Sequence, residues 1–198
     1  MNEKKMPERT FAEVMSEGRS FFAWRDRPVE ECLLHRLYEL VRMGPTSTNS
    51  CPARFVFVTS REARARLLDT MWEGNRAKTE AASVTVIVAQ DSRFYEFLPQ
   101  LFVHRPEVAE TYASDPDHVE DTAFRNAAMQ GAYMILCARA LGLDCGPMSG
   151  FYADRLNRAF FPDGRWKANF LINLGYGDRS ALFPRLPRLS FETACRIL

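Results

Sequence analysis

Residues 44–59 read GPTSTNSCPARFVFVT, and this stretch joins a polar loop to an apolar strand. The Gly44-Pro45 step ends a preceding helix, and residues 46–50 then carry only hydroxyl and amide side chains. Residues 55–59 are β-branched and aromatic, a composition typical of a short buried strand. The stretch therefore predicts a polar loop that leads directly into a strand.

The rest of the chain alternates helical and strand patterns around this stretch. Residues 91–117 form an aromatic excursion with three prolines, residues 145–150 read as a tight Gly/Pro segment, and Gly74-Asn75 introduces a basic turn. Because helices and strands interleave without strict βαβ order, the predicted class is α+β or irregular α/β. The remaining patterns predict helices over 10–18, 33–41, 60–71, 117–141, 153–160 and from about 190, and strands at 84–89 and 170–174.

Composition and charge restrict the class of protein. The chain has 198 residues, of which 46% are hydrophobic, so it can bury the core of about one domain. Its 26 basic and 25 acidic residues give a net charge of +1, which argues against nucleic-acid binding. Five cysteines without a CxxC pair fit a reducing, cytoplasmic setting. The opening residues lack a secretion signal and no apolar run reaches the ~20 residues of a membrane span, so no membrane partner is expected.

Several common catalytic and binding motifs are missing from the sequence. There is neither GxGxxG nor GxxxxGK[ST], which removes the dinucleotide and P-loop fingerprints. Ser149 stands in GPMSG rather than GxSxG, and three isolated histidines do not make a metal site, so no metal is expected.

Five short clusters instead combine cations with amide and hydroxyl donors. Fixed cations and small-residue donors suit a phosphate, and amide and ammonium groups suit the edge of a polar aromatic ring system. Each cluster alone also fits a solvated surface, so the hypothesis rests on their joint occurrence. The clusters are Arg19-Ser20, the loop 46–50, Asn75 with Lys78, the turn 146–150, and Arg185 with Arg188.

The motifs at these clusters carry a family resemblance. They are Gly44-Pro-Thr-Ser-Thr-Asn49, Asn75-Arg-Ala-Lys78, Pro147-Met-Ser-Gly-Phe151 and Arg185-Leu-Pro. With them the chain resembles the FMN-dependent nitroreductase superfamily along almost its whole length. Through Cys51-Pro-Ala-Arg54 and Thr122-Ala-Phe-Arg-Asn126 it is similar, within that superfamily, to the malonic semialdehyde reductase (3-hydroxypropanoate dehydrogenase) group of the Rut pyrimidine-degradation pathway.

The resemblance implies an architecture and a set of cofactor contacts. It implies one domain over residues 1–198 with a three-layer α+β fold, a mostly antiparallel central sheet flanked by helices, and a C-terminal tail exchanged in a homodimer that binds FMN at its interface. The phosphate would be held by Arg19, Ser20, Arg185 and Arg188, with Phe21 beside them. The pyrimidine edge of the flavin would be held by Asn75 and Lys78. The remaining contacts would be Pro45, Thr46, Ser47 and Asn49 from the second subunit and Pro147, Met148, Ser149 and Gly150 near flavin N5.

Two departures from the family pattern affect this site. Many relatives carry an acidic residue where this chain has Ser149, and many place a hydroxyl and a basic residue where it has Phe21-Phe22-Ala23. Because the contact expected at Ser149 is a backbone N–H to flavin N5, its replacement need not abolish binding. At the second position a contact to the cofactor would come from Trp24, Arg25 or Arg27, or would be absent.

The implied reaction is ping-pong hydride transfer, in which NADH or NADPH reduces FMN at N5 and the reduced flavin then converts an aldehyde to an alcohol. No catalytic side chain is identified. A malonic semialdehyde substrate needs a cation for its carboxylate, and the candidates are Arg54, His104 and Arg125, although Arg54 fits a structural ion pair equally well. The alternatives are a broad nitro or quinone reductase of the same fold and a flavin-binding protein without turnover.

Overall fold

A computed structural model describes residues 10–198 of the chain. The opening residues, on which the expectation of no secretion signal depends, lie mainly at 1–9, outside the described part. Within residues 10–198 no helix is both long and apolar enough to cross a membrane.

The centre of the fold is a four-stranded sheet in the order β1-β2-β4-β3, with every neighbouring pair antiparallel. The strands are β1 (Ala53–Val58), β2 (Val84–Asp91), β3 (Asp144–Met148) and β4 (Trp166–Gly175). The prediction of a tight turn over 145–150 is therefore wrong for most of its length. Pro147 lies in an edge strand, where a missing N–H is tolerated, and the sequence pattern concealed this strand.

Nine α-helices surround the sheet in the described residues. Residues 73–80 form a helix where a basic turn was predicted, because Gly74-Asn75 lies in its first turn rather than ending a preceding element. The helices are α1 (Phe11–Ser16), α2 (Glu31–Val41), α3 (Arg61–Leu68), α4 (Glu73–Glu80), α5 (Leu98–Leu101), α6 (Val108–Ala113), α7 (Pro116–Ala140), α8 (Ala153–Phe160) and α9 (Phe191–Ala194).

The helices and the sheet form three layers. Leu37 of α2 and Met134 of α7 are completely buried against the β-sheet face that carries Val86 and Ile172. Helices α3 and α8 cover the opposite face, where Leu67 and Leu156 are equally buried. The predicted three-layer α+β arrangement with a mostly antiparallel sheet is confirmed.

The aromatic excursion packs as a small helical unit on the first half of α7. Phe94 and Leu98 are fully buried beside Val119 of α7. Glu96 pairs with Arg165 at 2.9 Å and thereby joins the unit to an ion-pair network at the sheet. In that network the buried Asp91 accepts hydrogen bonds from Arg54 at 2.7 Å and from Arg165 at 3.0 Å. The excursion thereby becomes a fixed border of the loop that precedes β1.

Candidate cofactor site

Four guanidinium groups line one cavity of about 630 Å³ beside the start of the tail. We call it the arginine pocket and define it by Arg19, Arg139, Arg185 and Arg188, together with Ser20. Its walls contain no acidic residue, and none of the four arginines forms an ion pair within residues 10–198. Such an excess of fixed positive charge suits an anion.

The tail closes this pocket by backbone contacts. Arg19 donates a hydrogen bond to the carbonyl of Phe183, and Arg185 donates to the carbonyls of Ser16 at 2.6 Å and Gly18 at 3.1 Å. Phe183 also stacks on Phe22 with ring centroids 5.5 Å apart. Arg19 and Arg185, which are 166 positions apart in the sequence, thus meet as predicted, while Arg188 donates to carbonyls of its own tail segment.

Arg139, from the last turn of α7, is the member of the pocket that sequence reasoning missed. Its Nη2 donates to the carbonyl of Arg19 at 3.1 Å, whereas its Nε is buried and has no hydrogen-bond partner. A buried donor without a partner costs about 1–3 kcal/mol. A lone arginine in the last turn of an Ala-rich, largely apolar helix was the available sequence signal.

Residues 19–21 run beside the edge strand β3 and lead toward α4. Ser20 forms a parallel bridge with Cys145, and the N–H of Phe21 donates to the Cys145 carbonyl at 2.9 Å. The Phe21 side chain is itself buried, so only its backbone faces the candidate site. Ser20, Pro147 and Ser149 are exposed along this edge, while Met148 turns inward and its sulfur accepts from Thr79.

Asn75 and Lys78 lie at the far end of the same edge. Asn75 Nδ2 donates to the Gly150 carbonyl at 2.9 Å, which joins α4 to the end of β3. The half-buried Lys78 makes no ion pair with any described residue. Because Gly150 is five positions beyond Cys145, the edge from Ser20 to Asn75 spans roughly 16 Å at about 3.3 Å per residue. Predicted phosphate and ring-edge residues therefore share one elongated surface.

Three side chains hold the end of α4 through backbone contacts, and two of them contact Lys78. Trp24 Nε1 donates to the Lys78 carbonyl at 2.9 Å and Asn173 Nδ2 at 3.2 Å. Arg64 donates to the carbonyl of Glu80 at 2.8 Å and to others that follow α4, and burial lowers the pKa of this guanidinium. The end of α4, and with it Lys78, is therefore held rigidly.

The predicted second-subunit residues Pro45, Thr46, Ser47 and Asn49 lie in a strained loop. We call residues 45–51 the left-handed loop because Thr48, Asn49 and Cys51 have φ angles of 51°, 50° and 42°. Positive φ is costly for side-chain-bearing residues and persists only where surrounding contacts enforce it. Thr46 Oγ1 supplies one such contact by accepting from the Cys51 N–H at 3.1 Å.

Helix α7 also contacts the loop and the start of β1 through a polar stripe at i, i+4 and i+7. Asn126 accepts from the Ser47 N–H at 2.8 Å, Gln130 accepts from the N–H of Ala53 at 2.9 Å, and Tyr133 donates to the Pro45 carbonyl at 3.0 Å. Sequence reasoning gave none of these three residues a role. Polar residues at core spacing in a predicted buried helix were the signal that could have identified them.

The left-handed loop and the arginine pocket are far apart within one chain. Asn126 and Arg139 are 13 residues apart on α7, which corresponds to about 20 Å. The loop also precedes β1, whereas Ser20 borders β3, and these strands are the two edges of the sheet. The only two buried side-chain polar atoms without partners in residues 10–198 are Ser50 Oγ in the loop and Arg139 Nε in the pocket.

The three candidate substrate residues have different surroundings. Arg54 pairs with buried Asp91, and this is the structural ion pair considered as its alternative role. Arg54 also donates to the Cys51 carbonyl at 2.9 Å. Arg125 is exposed and pairs with Asp121 at 2.6 Å, immediately before loop-holding Asn126. His104 is exposed and packs on Phe102, next to the segment whose Leu101 carbonyl accepts from Asn49.

The cysteines and carboxylates make no further site. No group of three metal-ligating side chains occurs in the described residues. Cys145 is completely buried under the arginine pocket, and burial raises the pKa of its thiol to about 12 against the smaller opposing effect of Arg139.

Comparison with known proteins assigns the fold and the family. The profile described as "Nitroreductase family" matches residues 19–176. A Ralstonia nicotianae protein named as a candidate NADH dehydrogenase/NAD(P)H nitroreductase is 53% identical over 186 residues, 94% of this chain and 95% of that protein. A Rhodopseudomonas palustris protein with the same kind of name is 51% identical over 193 residues, 98% of each chain.

A solved structure agrees with these sequence matches. A candidate nitroreductase from Exiguobacterium sibiricum, described as a complex with FMN, superposes with a TM-score of 0.89 over 98% of this chain and all of that chain, at 19% identity. The fold is that of a nitroreductase. The chain belongs to the Nitroreductase family.

Proposed function

We propose that this chain is an FMN-dependent oxidoreductase that accepts hydride from NADH or NADPH and works as a homodimer. The observation that carries the proposal is the pairing of an acid-free arginine pocket with a rigid polar loop about 20 Å away along α7. Within one chain the pocket borders the edge strand β3 and the loop precedes the other edge strand, β1, so the two regions lie at opposite edges of the sheet. Two copies related by a twofold axis would bring each pocket to the loop of the other.

The arginine pocket fits the phosphate of FMN. Arg19 and Arg185 enter it from opposite ends of the sequence. Guanidinium groups bind phosphate through charge-assisted, often bidentate hydrogen bonds. Ser20 and Arg188 border the same cavity and complete the proposed set.

The surface from Ser20 to Asn75 fits the flavin ring. FMN, when bound, supplies the redox chemistry that no amino-acid side chain provides. The backbone of Lys78 is held by contacts to its carbonyl, and its ammonium would stabilise negative charge at the pyrimidine edge. Asn75 and the segment Pro147, Met148, Ser149 and Gly150 would orient the ring, with Phe21 and Met148 contributing only backbone groups.

A second copy would supply the left-handed loop and receive the tail. Phe183, Leu186, Leu189 and Ile197 are all more than 70% exposed, which is unusual for apolar side chains in one segment. A groove of about 1120 Å³ beside the edge strand β1 is lined by Leu34, Tyr38, Phe55 and Phe57 among others. We propose that the end of the partner's tail occupies this groove.

For the substrate we propose malonic semialdehyde, reduced to 3-hydroxypropanoate. Arg125 is the best-placed cation for its carboxylate, since an exposed ion pair such as Arg125–Asp121 is weak and can exchange partners. His104 is a second candidate, because it lies three residues beyond Leu101, whose carbonyl accepts from Asn49 of the loop. Arg54 supports this role least, because its guanidinium is already held by Asp91.

A broad nitro or quinone reductase is the second candidate function, favoured by the nitroreductase names of the two relatives. Anaerobic reduction by NADH and by NADPH, followed by reoxidation with malonic semialdehyde or nitrofurazone, distinguishes the two. A kcat/KM at least about 100-fold higher for the aldehyde supports the semialdehyde reductase. A bound flavin that neither nucleotide reduces would indicate the non-catalytic flavin-binding protein.

The role of Arg125 is tested with Arg125→Gln and the matched control Arg158→Gln, an exposed arginine on the opposite side of the sheet. We expect Arg125→Gln to raise KM for malonic semialdehyde about 10-fold, the effect of one lost charged contact, with KM for nitrofurazone unchanged. Equal changes for both substrates would contradict a carboxylate-binding role.

The homodimer is tested by ending the chain after Arg188, which retains the arginine pocket. We expect the shortened chain to be monomeric by light scattering and to bind FMN more weakly. A dimer of unchanged stability would contradict the proposed tail exchange.

A further inference from the structure

We propose that Arg139 belongs to the phosphate site, as a fourth cation beside Arg19, Arg185 and Arg188 and as the residue that positions the backbone of Gly18 and Arg19. This inference rests on the proposed binding of FMN. Its direct basis is geometric: Arg139 is the last residue but one of α7 and its side chain lines the arginine pocket.

The approach of Arg139 to residues 18–19 is very close. A Cβ on Gly18 would lie 2.5 Å from Arg139 Nη1 and 2.8 Å from its Cζ, so only glycine leaves room for the guanidinium. Nη2 donates to the Arg19 carbonyl at 3.1 Å. The guanidinium therefore fixes the backbone that presents the Arg19 side chain and Ser20 to the pocket.

The hydrogen bonds of Arg139 are incomplete in the protein alone. Its Nε is buried without a partner, and no described carboxylate forms an ion pair with it. A guanidinium without a carboxylate partner favours an anion beside it. Arg139 lines the cavity together with Arg19 and Arg185, so an anion there would lie against all three guanidinium groups.

A purely structural role explains only part of this arrangement. A cation in the last turn favours the helix dipole, and the contact to the Arg19 carbonyl holds the chain in place. Neither accounts for four arginines around one cavity whose walls carry no acidic residue. The phosphate role accounts for that arrangement.

The test compares FMN with riboflavin, which has the same ring and no phosphate. Dissociation constants of the full-length apoprotein are measured by flavin fluorescence for wild type, Arg139→Met, Arg139→Lys and the exposed control Arg158→Met. For Arg139→Met we expect the Kd for FMN to rise about 10–100-fold and the Kd for riboflavin to stay within about twofold. Arg139→Lys should lose less affinity for FMN, because lysine retains the positive charge although it lacks the two parallel N–H donors of a guanidinium.

The outcomes separate this inference from the proposed function. Wild type that binds neither flavin overturns FMN binding itself. Unchanged FMN affinity in Arg139→Met, or equal weakening of FMN and riboflavin, overturns the phosphate role and leaves FMN binding intact. Thermal unfolding of each apoprotein checks that the variants fold, and if Arg139→Met does not fold, the FMN-to-riboflavin ratio of Arg139→Lys decides: an unchanged ratio overturns the inference.

Discussion

The arginine pocket and the left-handed loop differ in nearly every physical respect. The pocket brings together three distant segments, carries four cations and leaves a buried Nε without a partner. The loop is seven consecutive uncharged residues, with strained φ angles that hydrogen bonds from α7 enforce. The difference suggests that charge is used where an anion must be captured, and backbone rigidity where a flat surface must be matched.

Both regions nevertheless depend on the same helix and on a glycine. Arg139 packs on Gly18 in the pocket, and the ring of Tyr133 packs on Gly44 at the start of the loop. A side chain at either glycine would push α7 away from a binding segment. Helix α7 therefore sets the geometry of both regions, and variants along it separate their contributions.

The largest expected effect is on the loop side, at Asp91. Its buried carboxylate pairs with Arg54 and Arg165, and the backbone N–H of Asp91 donates to the Pro52 carbonyl just after the loop. Asp91→Ala leaves two guanidinium groups without their shared anion. We expect a loss of about 3–5 kcal/mol in the free energy of unfolding, measured by urea denaturation.

The matched control for Asp91 is Asp121→Ala, which removes a carboxylate from an exposed pair with Arg125. Its loss should stay below about 1 kcal/mol. The affinity ratio of FMN to riboflavin should stay at the wild-type value in folded Asp91 variants such as Asp91→Asn, because the arginine pocket is remote. Losses of similar size in the two alanine variants would show that burial of Asp91 does not govern the loop.

A smaller effect is expected at Asn126, which accepts from the Ser47 N–H and donates to the Thr122 carbonyl. Asn126→Ala should cost about 2 kcal/mol, since it removes two hydrogen bonds worth about 1 kcal/mol each. Because the loop contacts the ring in the proposed dimer, FMN and riboflavin should weaken by the same factor. Asn169→Ala, which loses only two 3.3 Å contacts, is the control. A loss of affinity for FMN without a loss of affinity for riboflavin would contradict the assignment of the loop to the flavin ring and of the arginine pocket to the phosphate.

These two regions also show how far the sequence could predict the site. The resemblance named Arg19, Arg185 and the loop residues as candidates because their motifs are local. It assigned nothing to Arg139 or Asn126, whose importance depends on contacts 120 and 79 positions away along the chain. The strand at 144–148 was missed for a related reason: its pairing with β4 overrides the local Gly/Pro signal.

On the pocket side, Gly18→Ala tests the close contact with Arg139. The new methyl group meets Arg139 Nη1 and the Val14 carbonyl, each at 2.5 Å, so the guanidinium must move. We expect a loss of about 1–2 kcal/mol in unfolding free energy and weaker FMN binding. Gly74→Ala, with no atom within 4 Å in a helix, should be neutral or stabilising. Equal stability of the two variants would mean that Arg139 has room to relax.

The smallest expected effect is on how stability depends on pH at Cys145, whose thiol is close enough to Arg139 for the two charges to interact. Burial raises the pKa of the folded thiol from 9.0 to about 12, although Arg139 works in the opposite direction. Between these values the unfolded chain releases a proton that the folded chain retains, so stability falls as the pH rises above about 9. The slope is about 1.4 kcal/mol per pH unit.

Urea unfolding at pH 8, 9 and 10 should therefore show a steeper decline for wild type than for Cys145→Ala, with Cys195→Ala, at an exposed position, as the control for thiol loss. The comparison uses slopes, because the cavity left by alanine lowers stability equally at each pH. Equal slopes for wild type and Cys145→Ala would mean that Arg139 stabilises the Cys145 thiolate enough to offset its burial. A steeper slope for wild type would mean that the charge of Arg139 does not offset this burial and remains available to a phosphate in the arginine pocket.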